Sequence, residues 1–247
     1  MHSLDAIRDG FVELLKTHDE TKCIKYIDKY DGFYNMTLSD SSISILQYVC
    51  IYNLPRVARK LIDKNANVTY QNICGYTAIM YAASHDTTVA YIIDNCNDVS
   101  TRATVDTYDP MSEMMYLCGF DQSDNIIKMI ERGYDVYYET PEKLSLLKIA
   151  IHHKDKLIIK KLIDIDTDFA TKFIANYKIY TGIDAEREFY LTIVKYINNK
   201  YTDYRDMIVS VMNDESPDNM LYQSFSRTYA VELADIIRDF IILQVVL

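Results

Sequence analysis

The sequence predicts an all-α protein in which short helix pairs repeat and stack. Three observations predict it. First, a hydroxyl residue opens each of four similar segments: Ser44 opens "SILQYVCIYNLPRVARKLIDKNANV", Thr77 "TAIMYAASHDTTVAYIIDNCNDV", Ser112 "SEMMYLCGFDQSDNIIKMIERGYDV" and Ser145 "SLLKIAIHHKDKLIIKKLIDIDTDF", at intervals of 33, 35 and 33 residues. Self-similarity at such a period is the mark of a repeat architecture. Second, each segment holds a short apolar helix, a polar break and a second helix. Each then closes on Asn67-Val68, Asp98-Val99, Asp135-Val136 or Asp168-Phe169. Third, Gly75, one of only 6 glycines, stands just before Thr77 and the pair Ala82-Ala83. A glycine there serves a turn with φ > 0, Thr77 caps the following helix, and the alanines let a neighbouring backbone come close.

Taken in order, a poorer first unit precedes these four. "GFVELLKTHDETKCIKYIDKYDGFYN" has two helical segments parted by Thr17-His18-Asp19, with Tyr34-Asn35 at the closing turn. The expected units are 1–35, 36–68, 69–99, 100–136 and 137–169, followed by a helical segment over 170–247. A single unit cannot bury its apolar stripe, so stacking has to supply the core.

The pattern resembles the ankyrin repeat, in which Gly-x-Thr-Pro-Leu-His-x-Ala-Ala is followed by a polar pair with Gly, an aliphatic helix and Gly-Ala-Asp-Val-Asn. Gly75, Thr77, Ile79, Ala82, Ala83 and Asp98-Val99 match it, as do Asn65-Ala66-Asn67-Val68 and Gly133-Tyr134-Asp135-Val136 at the closing turn. The chain departs from it at the proline position, which Ile45, Ala78, Glu113 and Leu146 occupy, and in a longer Val99-to-Ser112 connection. The resemblance implies a solenoid of helix pairs with hairpin fingers that acts as a protein-recognition scaffold. The Tyr-, Ile-, Asn-, Asp- and Lys-rich composition without Trp is similar to that of proteins from AT-rich genomes, large DNA viruses among them, and implies a host or cellular protein as partner.

Composition narrows the function. The net charge of −10 divides into −7 over residues 1–169 and −3 over 170–247, so no basic patch offers itself to phosphates. Direct nucleic-acid and membrane binding are therefore not expected. No apolar run approaches a membrane span, and the charged first 20 residues lack a secretory core, which together predict a cytoplasmic protein. Cys23, Cys50, Cys74, Cys96 and Cys118 form no metal-binding spacing, and an odd number fits unpaired thiols. Cys50 and Cys118 align with Ala83 and are expected to be small buried side chains, while Cys74 falls at a hairpin tip. No nucleophile elbow, phosphate loop, zinc motif or dinucleotide fingerprint is present. His152 and His153 are adjacent and point about 100° apart on a helix. Neither enzyme chemistry nor a cofactor or metal is expected.

The resemblance places the residues that end each inner helix along a groove: Thr17-His18, Ile51-Tyr52, Ser84-His85, Gly119-Phe120 and His152-His153. Two readings stand. Polar helix-ending residues belong at such positions, or His18, Tyr52, His85, Phe120, His152 and His153 form a contact strip whose affinity changes between about pH 5 and 7.5. Finger tips extend that strip with Gln71, Ile73, Cys74, Tyr76, Tyr108, Tyr138, Glu139 and Glu142.

In the tail, Phe189, Ile193 and Ile197 are spaced four apart and predict an amphipathic helix ending at Asn198-Asn199. "DYRDMIVSVMNDE" predicts another, "NDESPDN" a loop, and the apolar 228–247 segment either a cap or a docking element. Three functions remain: a non-catalytic scaffold that binds, inhibits or recruits a partner; a structural subunit that self-assembles; and an acidic decoy of a nucleic-acid-binding protein.

Overall fold

A computed structural model describes residues 3–38, 42–105, 110–179, 184–216, 218–225 and 236. Among them the chain is helical throughout, with isolated antiparallel bridges but no strand. It divides into two compact units, 1–149 and 150–247, and the boundary falls inside the last expected repeat.

In the first unit the helices come in pairs: α1 (Leu4–Leu15) with α2 (Glu20–Lys29), α3 (Ile45–Ile51) with α4 (Pro55–Asp63), α5 (Ala78–Tyr81) with α6 (Asp86–Asp94), and α7 (Glu113–Cys118) with α8 (Ser123–Glu131). The first members pack in sequence as α3, α5 and α7, and the second members as α2, α4, α6 and α8. α9 (Leu146–His152) begins the next pair. The hydroxyl heads act as expected. Ser44, Thr77 and Ser112 accept the amides of Gln47, Met80 and Met115 at 3.2, 3.4 and 3.4 Å. Ser145 accepts that of Lys148 at 3.4 Å. Ser44 adds the reciprocal bond from its own amide to Gln47 Oε1, which completes a capping box. Cys50 and Cys118 are buried in the last turns of α3 and α7, as the alignment with Ala83 predicts.

Two turns recur. At the closing turn, Asn67, Asp98 and Asp135 each accept the amide two residues on, at 2.9, 2.9 and 2.8 Å. In the last repeat Asp166, not Asp168, makes this bond, and Asp168-Phe169 opens a new helix. Between paired helices the chain enters the left-handed region at His18, Asn53, Asp121 and Lys154 (φ 51 to 57°). In a chain so short of glycine, Asn, Asp and His are the side chains that tolerate this conformation best.

Gly75 holds the finger. Its φ is +77°, and a Cβ there would lie 2.4 Å from the carbonyl oxygen of Ala103. The close approach lets Val105 donate its amide to the Cys74 carbonyl at 2.9 Å, so one hairpin lies on the next. Along the second helices a ladder of contacts repeats: Asp28 to Lys60 and Asp94 to Lys128 at 2.6 Å, and Tyr91 OH to Asp63 at 2.6 Å. Exposed pairs of this kind are each worth about 0.2–1 kcal/mol, so they fix alignment more than stability.

The second unit contains α10 (Lys156–Ile165), α11 (Asp168–Ile179), α12 (Asp184–Asn213) and α13 (Met220–Phe225). Phe189, Ile193 and Ile197 are buried, as their spacing predicts, with Phe189 and Tyr190 against Phe173. The expected break at Asn198-Asn199 does not occur. α12 runs unbroken for 30 residues because no Gly or Pro lies between Gly182 and Pro217, and Thr202 bonds back to the Asn198 carbonyl. α12 packs on α10, and Tyr196 and Lys200 both reach Asp164, which repeats the device of the first unit's ladder. The 228–247 segment, apart from Ile236, lies outside the described residues.

The glycines give a graded test. Gly133→Ala meets nothing within 4 Å at φ +91° and should cost about 1–2 kcal/mol for conformation alone. Gly75→Ala adds a collision with backbone and should lower the urea midpoint clearly further. Equal losses would mean that the finger contact carries no weight.

Candidate functional site

Successive first helices bring one sequence position into a row. Tyr48, Tyr81 and Tyr116 each lie four residues after the capping hydroxyl, on α3, α5 and α7, and all are half-buried. Two ring clusters form around them. Tyr48 lies 4.9 Å from Tyr52, with hydroxyls 3.2 Å apart, and Tyr52 packs on His18 at 5.3 Å. Tyr81 packs on Tyr76 at 5.6 Å, Tyr76 meets Tyr116 edge-on at 5.7 Å, and Tyr116 stacks on Phe120 at 5.4 Å. Phe120 remains 44% exposed at the end of this run.

The electrostatics follow from that packing. The hydrogen bond with Tyr52, followed by burial, pushes the Tyr48 phenol up to about 12. Burial, reinforced by neighbouring phenols, also raises Tyr81 and Tyr116, although the Asn72 amide on Tyr81 opposes it there. The rings therefore present neutral hydroxyls and apolar faces. Burial pushes the Cys23 thiol up to about 11 and the Cys50 thiol up to about 12, which keeps both protonated. Cys74 is half-exposed. No group of three or more His, Cys, Asp or Glu side chains suited to a metal occurs among the described residues.

The predicted strip residues separate into three kinds. His18, Tyr52, Tyr76 and Phe120 join the two clusters. Gln71 and Tyr138 have internal tasks: Gln71 Nε2 donates to the carbonyls of Gly75 and Ala103 at 2.9 and 3.0 Å, and Tyr138 OH to that of Pro110 at 3.2 Å. Ile73 is 70% exposed at its tip, and Glu139 is exposed with Lys143 3.7 Å away. The histidines do not share one position. His18 takes the left-handed turn, His85 is the N-cap residue of α6 with Ser84 Oγ at 3.1 Å, and His152 and His153 lie before the turn residue Lys154. His152 and His153 are exposed in the second unit, rings edge-on at 5.2 Å. Tyr108 lies outside the described residues.

Sequence reading missed Tyr48, Tyr81 and Tyr116. The signal was present as a tyrosine at one fixed distance from three successive hydroxyl heads. No family model matches the sequence, and no curated protein matches it significantly.

The Tyr48–Tyr52 bond can be tested by titration. With its folded pKa above the ordinary value near 10, Tyr48 contributes stability that is full below about pH 10 and lost as pH rises toward 12. In an NMR titration of ring-labelled tyrosine, Tyr48 should ionise near 12, and Tyr52→Phe should move that midpoint down. An unchanged midpoint would mean the hydroxyls do not bond in solution.

Proposed function

We propose that the chain is a non-catalytic protein-recognition scaffold of the ankyrin-repeat kind, and that it takes a host or cellular protein on the tyrosine row flanked by Phe120. The stacked helix pairs, repeated hydroxyl caps and interlocked fingers support the repeat assignment. The observation that carries the function is the Tyr76–Tyr116–Phe120 run, in which an exposed ring is held by two half-buried ones. Aromatic side chains fixed in this way bury much area at low entropic cost and are enriched in protein interfaces. The net charge of −10 favours a partner segment that is neutral or basic.

A second reading, self-assembly, draws on Met207 and Val211, one turn apart on α12 and 55% and 42% exposed. A concentration-independent monomer mass in light scattering counts against it.

The test is affinity capture from a host-cell lysate with wild type and with Tyr52→Ala, His85→Ala, Phe120→Ala combined. Circular dichroism should show both folded, because these side chains lie at the surface or half-buried. A protein retained by the wild type and lost with the triple variant supports the reading. Equal retention by both moves recognition away from the rings that flank the tyrosine row.

A further inference from the structure

In the first unit, three polar side chains from separate segments converge out of water. Arg102 comes from the connection between residues 99 and 112, Glu113 from the first turn of α7, and Tyr134 from just past α8. All are more than nine-tenths buried. The terminal nitrogens of Arg102 are in use. Nη2 donates to Glu113 Oε2 at 3.0 Å, to the Asp98 carbonyl at 3.2 Å and toward Cys96 Sγ at 3.8 Å, while Nη1 pairs with Asp98 Oδ2 at 3.2 Å. Three buried atoms make no hydrogen bond of ordinary distance and angle, Arg102 Nε, Glu113 Oε1 and Tyr134 OH, although the Thr77 hydroxyl lies near the Glu113 carboxylate and the Cys96 thiol near the Tyr134 hydroxyl. These side chains line a single cleft, whose apolar lining is Met114 and Met129 and whose rim includes the exposed Asp135. Its space suits about one water-sized molecule.

The chemistry selects the occupant. Arg102 Nε–H requires an acceptor, Glu113 Oε1 requires a donor, and Tyr134 OH satisfies either. An anion is repelled by Glu113, a cation by Arg102, and an apolar guest leaves all three unmet. We propose that this cleft binds a single ordered water that accepts from Arg102 Nε, donates to Glu113 Oε1 and bonds Tyr134 OH. Three bonds are the usual complement of a buried water. The water turns a single-contact ion pair into a closed network joining the 99–112 connection, α7 and the turn after α8. That connection carries Ala103 and Val105, which hold the Gly75 finger, so the water also steadies the finger.

The test uses the full chain and water itself as the probe. Oxygen-17 relaxation dispersion counts long-lived waters in wild type and in Arg102→Met/Glu113→Leu. Exchanging a buried ion pair for apolar side chains of similar volume generally preserves the fold, which circular dichroism checks. The wild type should hold one long-lived water more than the double variant. Tyr134→Phe, which keeps the pair, should release that water on the order of tenfold faster through the loss of one hydrogen bond. Equal counts in wild type and a folded double variant would overturn the proposal. If the double variant does not fold, unchanged exchange in Tyr134→Phe overturns it. A crystal structure with Arg102 Nε donating directly to Glu113 Oε1 would do the same.

Discussion

No helix pair of this chain can bury its own apolar side, and the rest of the architecture follows from that constraint. α5 is the extreme case, with only Ala78 to Tyr81 in helical form. A helix this short does not survive its nucleation cost in water. It exists because Thr77 caps it and because Ala78, Ile79 and Met80 are buried between α3 and α7. The same dependence explains why small side chains recur where these helices end. Ala83, Cys50 and Cys118 are all buried there, and a larger residue would force the neighbouring pair apart. Repetition in the sequence is thus the consequence of each unit supplying half of a core that its neighbour completes.

The same constraint divides labour across the surface. Burial occupies the inward positions, and exposed Asp–Lys and Asp–Tyr contacts line up the second helices at little energetic gain. What remains on the short first helices is the position at the edge of the core, where a side chain is half-buried and half in water. Tyrosine suits that position, since its ring packs while its hydroxyl meets solvent or a partner. The row of Tyr48, Tyr81 and Tyr116 is therefore a product of stacking. Equivalent positions on α3, α5 and α7 come side by side without any contact designed between them.

The features legible in the sequence are those with a local cause. Ser44, Thr77, Ser112 and Ser145 announce their helices through a bond to an amide three residues away, and Asn67, Asp98 and Asp135 announce their turns through one two residues away. Gly75 is legible for the same reason. Where one residue type can serve several ends, sequence alone misleads. His18 reads as a surface contact and is also a left-handed turn residue. Asn198-Asn199 reads as a helix end, yet asparagine costs a helix interior only a fraction of a kcal/mol, and packing of α12 on α10 outweighs it. The fourth closing turn shifts from Asp168 to Asp166 because three aspartates within five residues offer the backbone alternative partners. The candidate site was half legible: Tyr52, Tyr76 and Phe120 from their places after or before the inner helices, but not the tyrosines between them, whose meaning appears only when the helices lie together.

The one contact that no local rule foretells stands where the repeat is most irregular. The connection from Val99 to Ser112 is longer than its counterparts, and Glu113 takes the place that proline holds in the ankyrin pattern. These two departures answer each other. A longer connection costs more entropy to order, though only slowly with length, and it needs an anchor. Arg102 is that anchor, and a carboxylate at position 113 is the partner it requires. Burial raises the Glu113 pKa in spite of Arg102, so the pair adds little stability compared with apolar packing. Its effect is on placement. Without Glu113 the buried arginine would keep only the exposed Asp98 carboxylate to offset its charge, so few other arrangements of this connection are tolerable. Those that remain set Ala103 against Gly75 and fix the finger beside the tyrosine row. Thus the irregular part of the chain, not the repeated part, determines how the candidate surface is presented.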